Sequence, residues 1–238
     1  MQSVASLATR LPPDTDQFTE LIGWIEAAHP GSISVLDVGG GGGFYEFPSS
    51  LRGRATRMVG VDPDAGVLTR PWLDEGHQML MEQYPPHSSE PFDLALCVYV
   101  AEHVENPGPF FQAIRSVLRP GGSCFGVTPN LLHYFGLVSA AATRLGIEDW
   151  LLHKVRSPDL IEAYHSPVRY RCNTVRRIRS TALSAGFQQS EFRVLEQPGM
   201  FETYFPPALM WWPQGYSRVV NRWAPPELFG TLLFRLVA

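Results

Sequence analysis

Cysteine and lysine are scarce in this chain. Three cysteines, Cys97, Cys124 and Cys172, occur in 238 residues, too few and too scattered for a disulfide framework or a structural zinc site. Lysine occurs once, as Lys154, within a total of 19 basic residues; we read that imbalance as coding bias. The formal net charge is −4, and the densest basic cluster, Arg169, Arg171, Arg176, Arg177 and Arg179, reads as a solvated face. Nucleic acid is therefore not expected as a partner. Apolar runs are short, and no charged N-terminal region leads into an apolar core. Neither stable membrane insertion nor a secretory leader is expected, and the expected location is cytoplasmic. Repeats and low-complexity linkers are also missing. A chain of this length can bury about 70–75 % of its unfolded surface, so a self-sufficient core is expected.

What the chain has in abundance, at one place, is glycine. Val35-Leu36-Asp37-Val38 is an apolar, β-branched strand that runs into five consecutive glycines, Gly39 to Gly43, before Phe44. Without a Cβ the backbone can enter positive φ and lie directly against a ligand. A flexible or tight turn is the competing reading. A second apolar strand, Met58-Val59-Gly60-Val61-Asp62, ends in a carboxylate 23 residues beyond Gly39. That spacing puts an acid at the tip of the neighbouring strand, where it can accept hydrogen bonds from both hydroxyls of a ribose. With Pro63 next in the chain, a turn or helix-capping role for Asp62 is the alternative. Gly39, Gly41 and Gly43 satisfy G-x-G-x-G, whereas the third glycine of a dinucleotide fingerprint would fall on Phe44. The dinucleotide pattern fits poorly.

Further motifs follow in order. Asp37 to Gly43 as D-x-G-x-G-x-G, Gly60-Val61-Asp62, the strand Phe92 to Cys97, Glu102-His103-Val104, Val117-Leu118-Arg119-Pro120-Gly121-Gly122 and Thr128-Pro129-Asn130 together resemble the class I methyltransferases that use S-adenosylmethionine, of the small-molecule type. The resemblance implies an α/β fold: a Rossmann-like, seven-stranded, mostly parallel sheet with helices on both faces, an antiparallel last strand and a helical lid insertion. It also implies an enzyme with S-adenosylmethionine as cofactor and a small-molecule substrate. By the same resemblance Asp37 shapes the turn and reaches the methionine ammonium, Gly39, Gly41 and Gly43 give backbone access, Asp62 holds the ribose, and Cys97 and Val98 run beside the methionine moiety. One departure concerns the adenine. The acid expected near the end of the third strand aligns with Leu80, and Glu82 is the nearest carboxylate.

A sulfonium methyl is already activated, so alignment is the larger contribution to its transfer: about 7–11 kcal/mol from orientation, against roughly 3–6 kcal/mol for a general base. Candidate bases are His133, His165 and His103, since an imidazole titrates near neutral pH; for each, a structural role competes. Tyr134, Tyr170, Asn173 and Trp211 are candidate substrate contacts, Tyr170 to Thr174 being similar to a Y-R-x-N-T run of related small-molecule enzymes. No clustered carboxylate and amide ligands suggest a metal, and none is expected.

The alternation of periods predicts strands over 34–38, 57–62, 77–81, 93–98, 123–128, 187–195 and 230–237. Helices are predicted after an Asp14 cap, over 65–75, from Pro109 to the Pro120-Gly121-Gly122 turn, and after a cap at Asn173 or Thr174. Residues 1–13 are expected to be disordered or a cap. The whole of 1–238 reads as one methyltransferase domain with two segments outside the rhythm. Residues 131–171 are expected to form a helical lid. Residues 197–226 are rich in aromatics and methionine and are expected to pack against the sheet edge or a homodimer partner, to line an apolar substrate pocket, or to touch a membrane surface. The functional expectation is metal-independent methyl transfer to a small, hydrophobic metabolite, oxygen first among acceptors. A nicotinamide-dependent oxidoreductase and a non-catalytic methyltransferase-like subunit stay open as rivals.

Overall fold

The computed structural model describes residues 8–41, 47–85, 90–146, 168–199 and 209–238. Its strands are β1 (Ala8–Arg10), β2 (Ile33–Val38), β3 (Ala55–Asp62), β4 (Glu75–Gln78), β5 (Phe92–Val98), β6 (Leu118–Pro129), β7 (Gln189–Leu195) and β8 (Thr231–Val237). They form one sheet in the order β1-β7-β8-β6-β5-β2-β3-β4. Strand β8 runs antiparallel to β6 and β7, and the other pairings are parallel. The expected seven strands are present. The eighth, β1, corrects the reading of residues 1–13: Ala8–Arg10 extends the sheet beside β7.

The helices are α1 (Gln17–Ala28), α2 (Pro107–Val117), α3 (Tyr134–Leu145), α4 (Val175–Ser184) and α5 (Trp211–Trp223). Strand side chains alternate between the two faces, which splits the core. Leu36, Val38, Val59, Val61, Ala95 and Cys97 pack with α2 and α4 through Phe110, Phe111, Ile114 and Ile178. Val35, Met58, Leu94, Leu96, Phe125 and Val127 meet α1 at Leu21, Trp24 and Ile25. Each such fully buried large apolar side chain is worth about 1.5–3 kcal/mol.

Local signals explain where several elements begin and end. Asp16, rather than Asp14, caps α1 by accepting the Thr19 N–H at 2.8 Å. Thr174 caps α4 by accepting from Arg177 N at 3.2 Å. Helix α2 starts at Pro107, two residues before Pro109, and stops at Val117. Leu118 already pairs with Phe92 in the sheet, and the Arg119 guanidinium reaches Asp93 at 2.5 Å. The helix expected over 65–75 is only a 3-10 segment, Ala65–Thr69. The Asp64 carboxylate takes the Gly66 N–H at 2.7 Å, and Pro71 restricts the backbone before it and offers no N–H.

Candidate active site

Strand β2 lies at the centre of the parallel sheet. The chain proceeds from it to β3 on one side and returns to β5 on the other. Such a switch point opens a crevice at the strands' carboxyl ends. Here that end carries Asp37, opposite Gly60 of β3 and Leu96 of β5, and Asp62, the last residue of β3.

Asp37 is 2 % exposed, and its Oδ2 has no hydrogen-bond partner among the described residues. Burial pushes its carboxyl up from 3.8 to about 7, and the nearby Asp62 charge adds to this. The Trp72 indole and the Arg70 guanidinium oppose it, although the indole N–H completes no hydrogen bond among the described residues. Above this carboxyl the turn is bare backbone. Gly39 has φ +85°, and a Cβ there would lie 2.2 Å from Val100 Cγ2. A Cβ on Gly40 would lie 2.3 Å from Asp37 Oδ2. Arg70 clamps the turn from outside, donating to Gly40 O at 2.9 Å and Gly41 O at 2.7 Å. Gly43 lies outside the described residues.

Asp62 accepts the Gly41 N–H on Oδ2 at 2.9 Å and the Asp64 N–H on Oδ1 at 2.6 Å. Two backbone donors fix its rotamer, and each oxygen keeps a further lone pair for a diol. A buried acid with one oxygen unpartnered among the described residues, a glycine turn that any side chain would fill, and an oriented carboxylate on the adjacent strand fit an adenosyl ligand bearing an ammonium group. Glu82 is half-buried in the 3-10 turn Met81–Gln83, while Leu80 is 51 % exposed. Met79 N donates to Asp62 O at 3.0 Å and ties that turn to the crevice.

The β5 side holds a buried polar network that sequence reasoning left out. Glu102 Oε2 accepts from Thr128 Oγ1 at 2.9 Å, and Thr128 Oγ1 accepts from Asn173 Nδ2 at 2.5 Å. All three residues are buried. Burial raises the Glu102 carboxyl, against the neighbouring His103 and the Thr128 hydroxyl, which favour its charge. The Glu102 carbonyl also receives Arg169 N at 2.6 Å and Tyr170 N at 3.0 Å. Tyr170 is itself buried, at φ 50°, and Tyr99, just past β5, is at φ 56°. Left-handed tyrosines are costly, and such outliers gather at functional sites. Tyr99 is anchored by its hydroxyl, which donates to Gln17 Oε1 of α1 at 2.9 Å. The E-H-V and T-P-N matches contained Glu102 and Thr128, but nothing local announced that they meet.

The other expected site residues have varied surroundings. The Cys97 side chain is core: its Sγ sits 3.8 Å from Cys124 Sγ, and that contact, then burial, raises its thiol well above the usual range. Its side chain is closed to a ligand, and Val98 beyond it is half-buried. His133 is 1 % exposed. Its Nδ1 caps α3 by accepting the Phe135 N–H at 3.2 Å, and its Nε2 lies 3.3 Å from Glu196 Oε2. Glu196 is held in turn by Ser217 Oγ at 2.6 Å and Gly230 N at 2.8 Å. His133 thus has a neighbour on each side of its ring, the Phe135 N–H and the buried Glu196 carboxylate. Tyr134 is half-buried against Trp212 and Tyr216 of α5, with both ring centroids at 4.6 Å. Trp211 is 68 % exposed. His103 is half-buried beside Glu102. His165 lies outside the described residues, as does most of the expected lid, whose first part is α3. The aromatic segment is represented by α5; Met200 and Phe201 to Phe205 also fall outside. Past Asn130 a cavity of about 220 Å³ opens between Leu132, Thr174, Val175, Arg176 and Glu227, enough for part of a substrate. Among the described residues no three His, Cys, Asp or Glu side chains converge as a metal ion requires, and no helix is long and apolar enough to cross a membrane.

The fold and this crevice define the class I, S-adenosylmethionine-dependent methyltransferases. Residues 13–197 match the family described as a methyltransferase domain, and the chain belongs to that family. This removes the nicotinamide reading. The mouse mitochondrial ubiquinone biosynthesis O-methyltransferase is 31% identical over 185 residues, covering 68% of this chain and 49% of the relative. The enzyme of the same name from Caulobacter vibrioides is 30% identical over 122 residues, covering 49% of this chain and 47% of the relative. The chain thus spans about half the length of the curated relatives it matches. Among solved structures, an S-adenosylmethionine-dependent methyltransferase from Archaeoglobus fulgidus shares the fold at TM-score 0.59 and 14% identity, over 93% of this chain and 92% of that one.

Proposed function

We propose that the protein methylates an oxygen of a small, hydrophobic metabolite by metal-independent in-line displacement. The observation that carries this reading is the crevice itself, where a glycine turn, an acid with one oxygen unpartnered among the described residues and an oriented carboxylate converge. Oxygen is favoured as acceptor by the relatives' names. When bound, S-adenosylmethionine supplies a methyl group that is already activated on a sulfonium.

The chain's own residues then bind, orient and exclude water. Asp62 grips the ribose diol and Asp37 takes the ammonium, which draws its carboxyl back towards the ionised form. Gly39 and Gly41 leave room for the ligand, Val98 and the Cys97 backbone flank the methionine moiety, and Glu82 is the acid proposed for the adenine. Asn173 and Tyr170, locked onto Glu102, shape the acceptor side together with Tyr134 and the lid. For proton removal we propose His103 or His165; His103 is supported by its half-buried position beside the Glu102 carboxyl.

The test is turnover with methyl-labelled S-adenosylmethionine and a panel of phenols, carboxylic acids and amines, read by product mass. Label on a phenolic or carboxylate oxygen is expected. Label on amines alone overturns the oxygen assignment, and no transfer to any acceptor overturns the small-molecule reading.

A further inference from the structure

We propose that α3 and α5 together form a docking face for anionic phospholipid membranes, on which the protein sits peripherally. The outward side of α3 repeats apolar residues at helical spacing: Leu137, Val138 and Leu145 are 53 %, 55 % and 70 % exposed. Along α5 the outward residues are Trp211, Val219 and Trp223, at 68 %, 59 % and 75 %. Its opposite side, Pro213, Ser217 and Val220, is buried. The two helices join where Tyr134 packs edge-on against Trp212 at 4.6 Å. Exposed tryptophan is costly in water, and its amphipathic ring suits the headgroup boundary of a bilayer.

Charge identifies the occupant. Arg144 on α3 and Arg218 and Arg222 on α5 are exposed, and neither helix contains an acidic residue. The exposed side of each helix is thus apolar and basic, on a chain whose formal net charge is −4. A second copy bringing the same face in a two-fold dimer would set arginines against arginines with no acid on either helix. An anionic lipid surface complements both the arginines and the tryptophans. His133, which caps α3, also packs edge-on against Tyr216 of α5 at 4.9 Å. The inference rests on the surface alone and stands whether or not the proposed oxygen acceptor is correct.

The experiment is sedimentation of the intact protein with phosphatidylcholine vesicles and with vesicles in which about a third of the lipid is phosphatidylglycerol. Tryptophan emission is followed in the same samples. Binding to the anionic vesicles with a blue shift is expected, weakened by salt as surface charges are screened. Arg218→Gln with Arg222→Gln should weaken it about 25-fold, at about fivefold per arginine. Val219→Ser with Trp223→Ser should weaken it by about tenfold or more, with binding of S-adenosylhomocysteine unchanged as the check on folding. Equal binding to neutral and anionic vesicles, or none to either, overturns the proposal. So does a concentration-dependent dimer in sedimentation velocity that the serine pair dissolves, since the face would then belong to a second copy.

Discussion

Replacing Asp37 by Asn should make the free protein more stable, increasingly so as the pH rises. The Asp37 carboxyl is buried, its Oδ2 has no donor among the described residues, and it titrates at about 7 in place of 3.8. Below pH 3.8 it is protonated in both the folded and the unfolded chain and costs nothing. Between that value and about 7 folding must take up a proton, so stability falls as the pH rises, at about 1.36 kcal/mol per pH unit. Above about 7 the loss levels off, on the order of 4 kcal/mol. The asparagine carries no such cost. Its advantage should be roughly 1.5 kcal/mol at pH 5 and about 4 kcal/mol at pH 8. For a chain of this size the latter corresponds to a rise in Tm on the order of 10 °C. Thermal unfolding of both proteins at pH 5 and pH 8, without cofactor, measures this. An advantage that is the same at both pH values, or a less stable Asp37→Asn, refutes the reasoning. Titration with S-adenosylhomocysteine completes the case, because the same substitution should weaken binding if the acid is kept for an ammonium group.

Two other substitutions test the frame of the site. Gly39→Ala places a Cβ 2.2 Å from Val100 Cγ2 at φ +85° and should cost about 2–4 kcal/mol from strain and overpacking; an unchanged Tm would mean that the turn is not held as described. Thr128→Val removes the hydroxyl that bridges Glu102 and Asn173 and should cost about 1–3 kcal/mol in urea unfolding. It should also raise the Glu102 carboxyl further, so the loss is larger at pH 8 than at pH 5. A loss that does not depend on pH would show that the network does not involve a titrating acid.

The residues that position the crevice were legible because each has a local signature. Ile33–Val38 and Ala55–Asp62 are apolar strands, and the glycines and Asp62 follow at a spacing that the sheet geometry itself imposes. What escaped reading depends on partners far along the chain. Ala8–Arg10 is three residues without apolar alternation, and it is a strand only because the edge of β7, more than 180 residues on, accepts it. Residues 65–75 have helical composition, yet the Asp64 side chain and Pro71 win locally. His133 invites a catalytic reading by residue type; Glu196, whose Oε2 lies 3.3 Å from its Nε2, is 63 positions away. Aromatic content alone does not say which side of Trp211–Trp223 faces outwards; the burial of Pro213, Ser217 and Val220 does. Glu102, Thr128 and Asn173 come from three separate motifs, and only the packing of β5, β6 and the start of α4 joins them.

The most direct measurement is calorimetric titration of the wild-type protein and of Asp62→Ala with S-adenosylhomocysteine. The account predicts one site per chain in the wild type and an affinity roughly 10- to 150-fold lower in the variant, the equivalent of about 1.5–3 kcal/mol for a charged hydrogen bond. No binding by the wild-type protein, or equal affinity in the two, would contradict it.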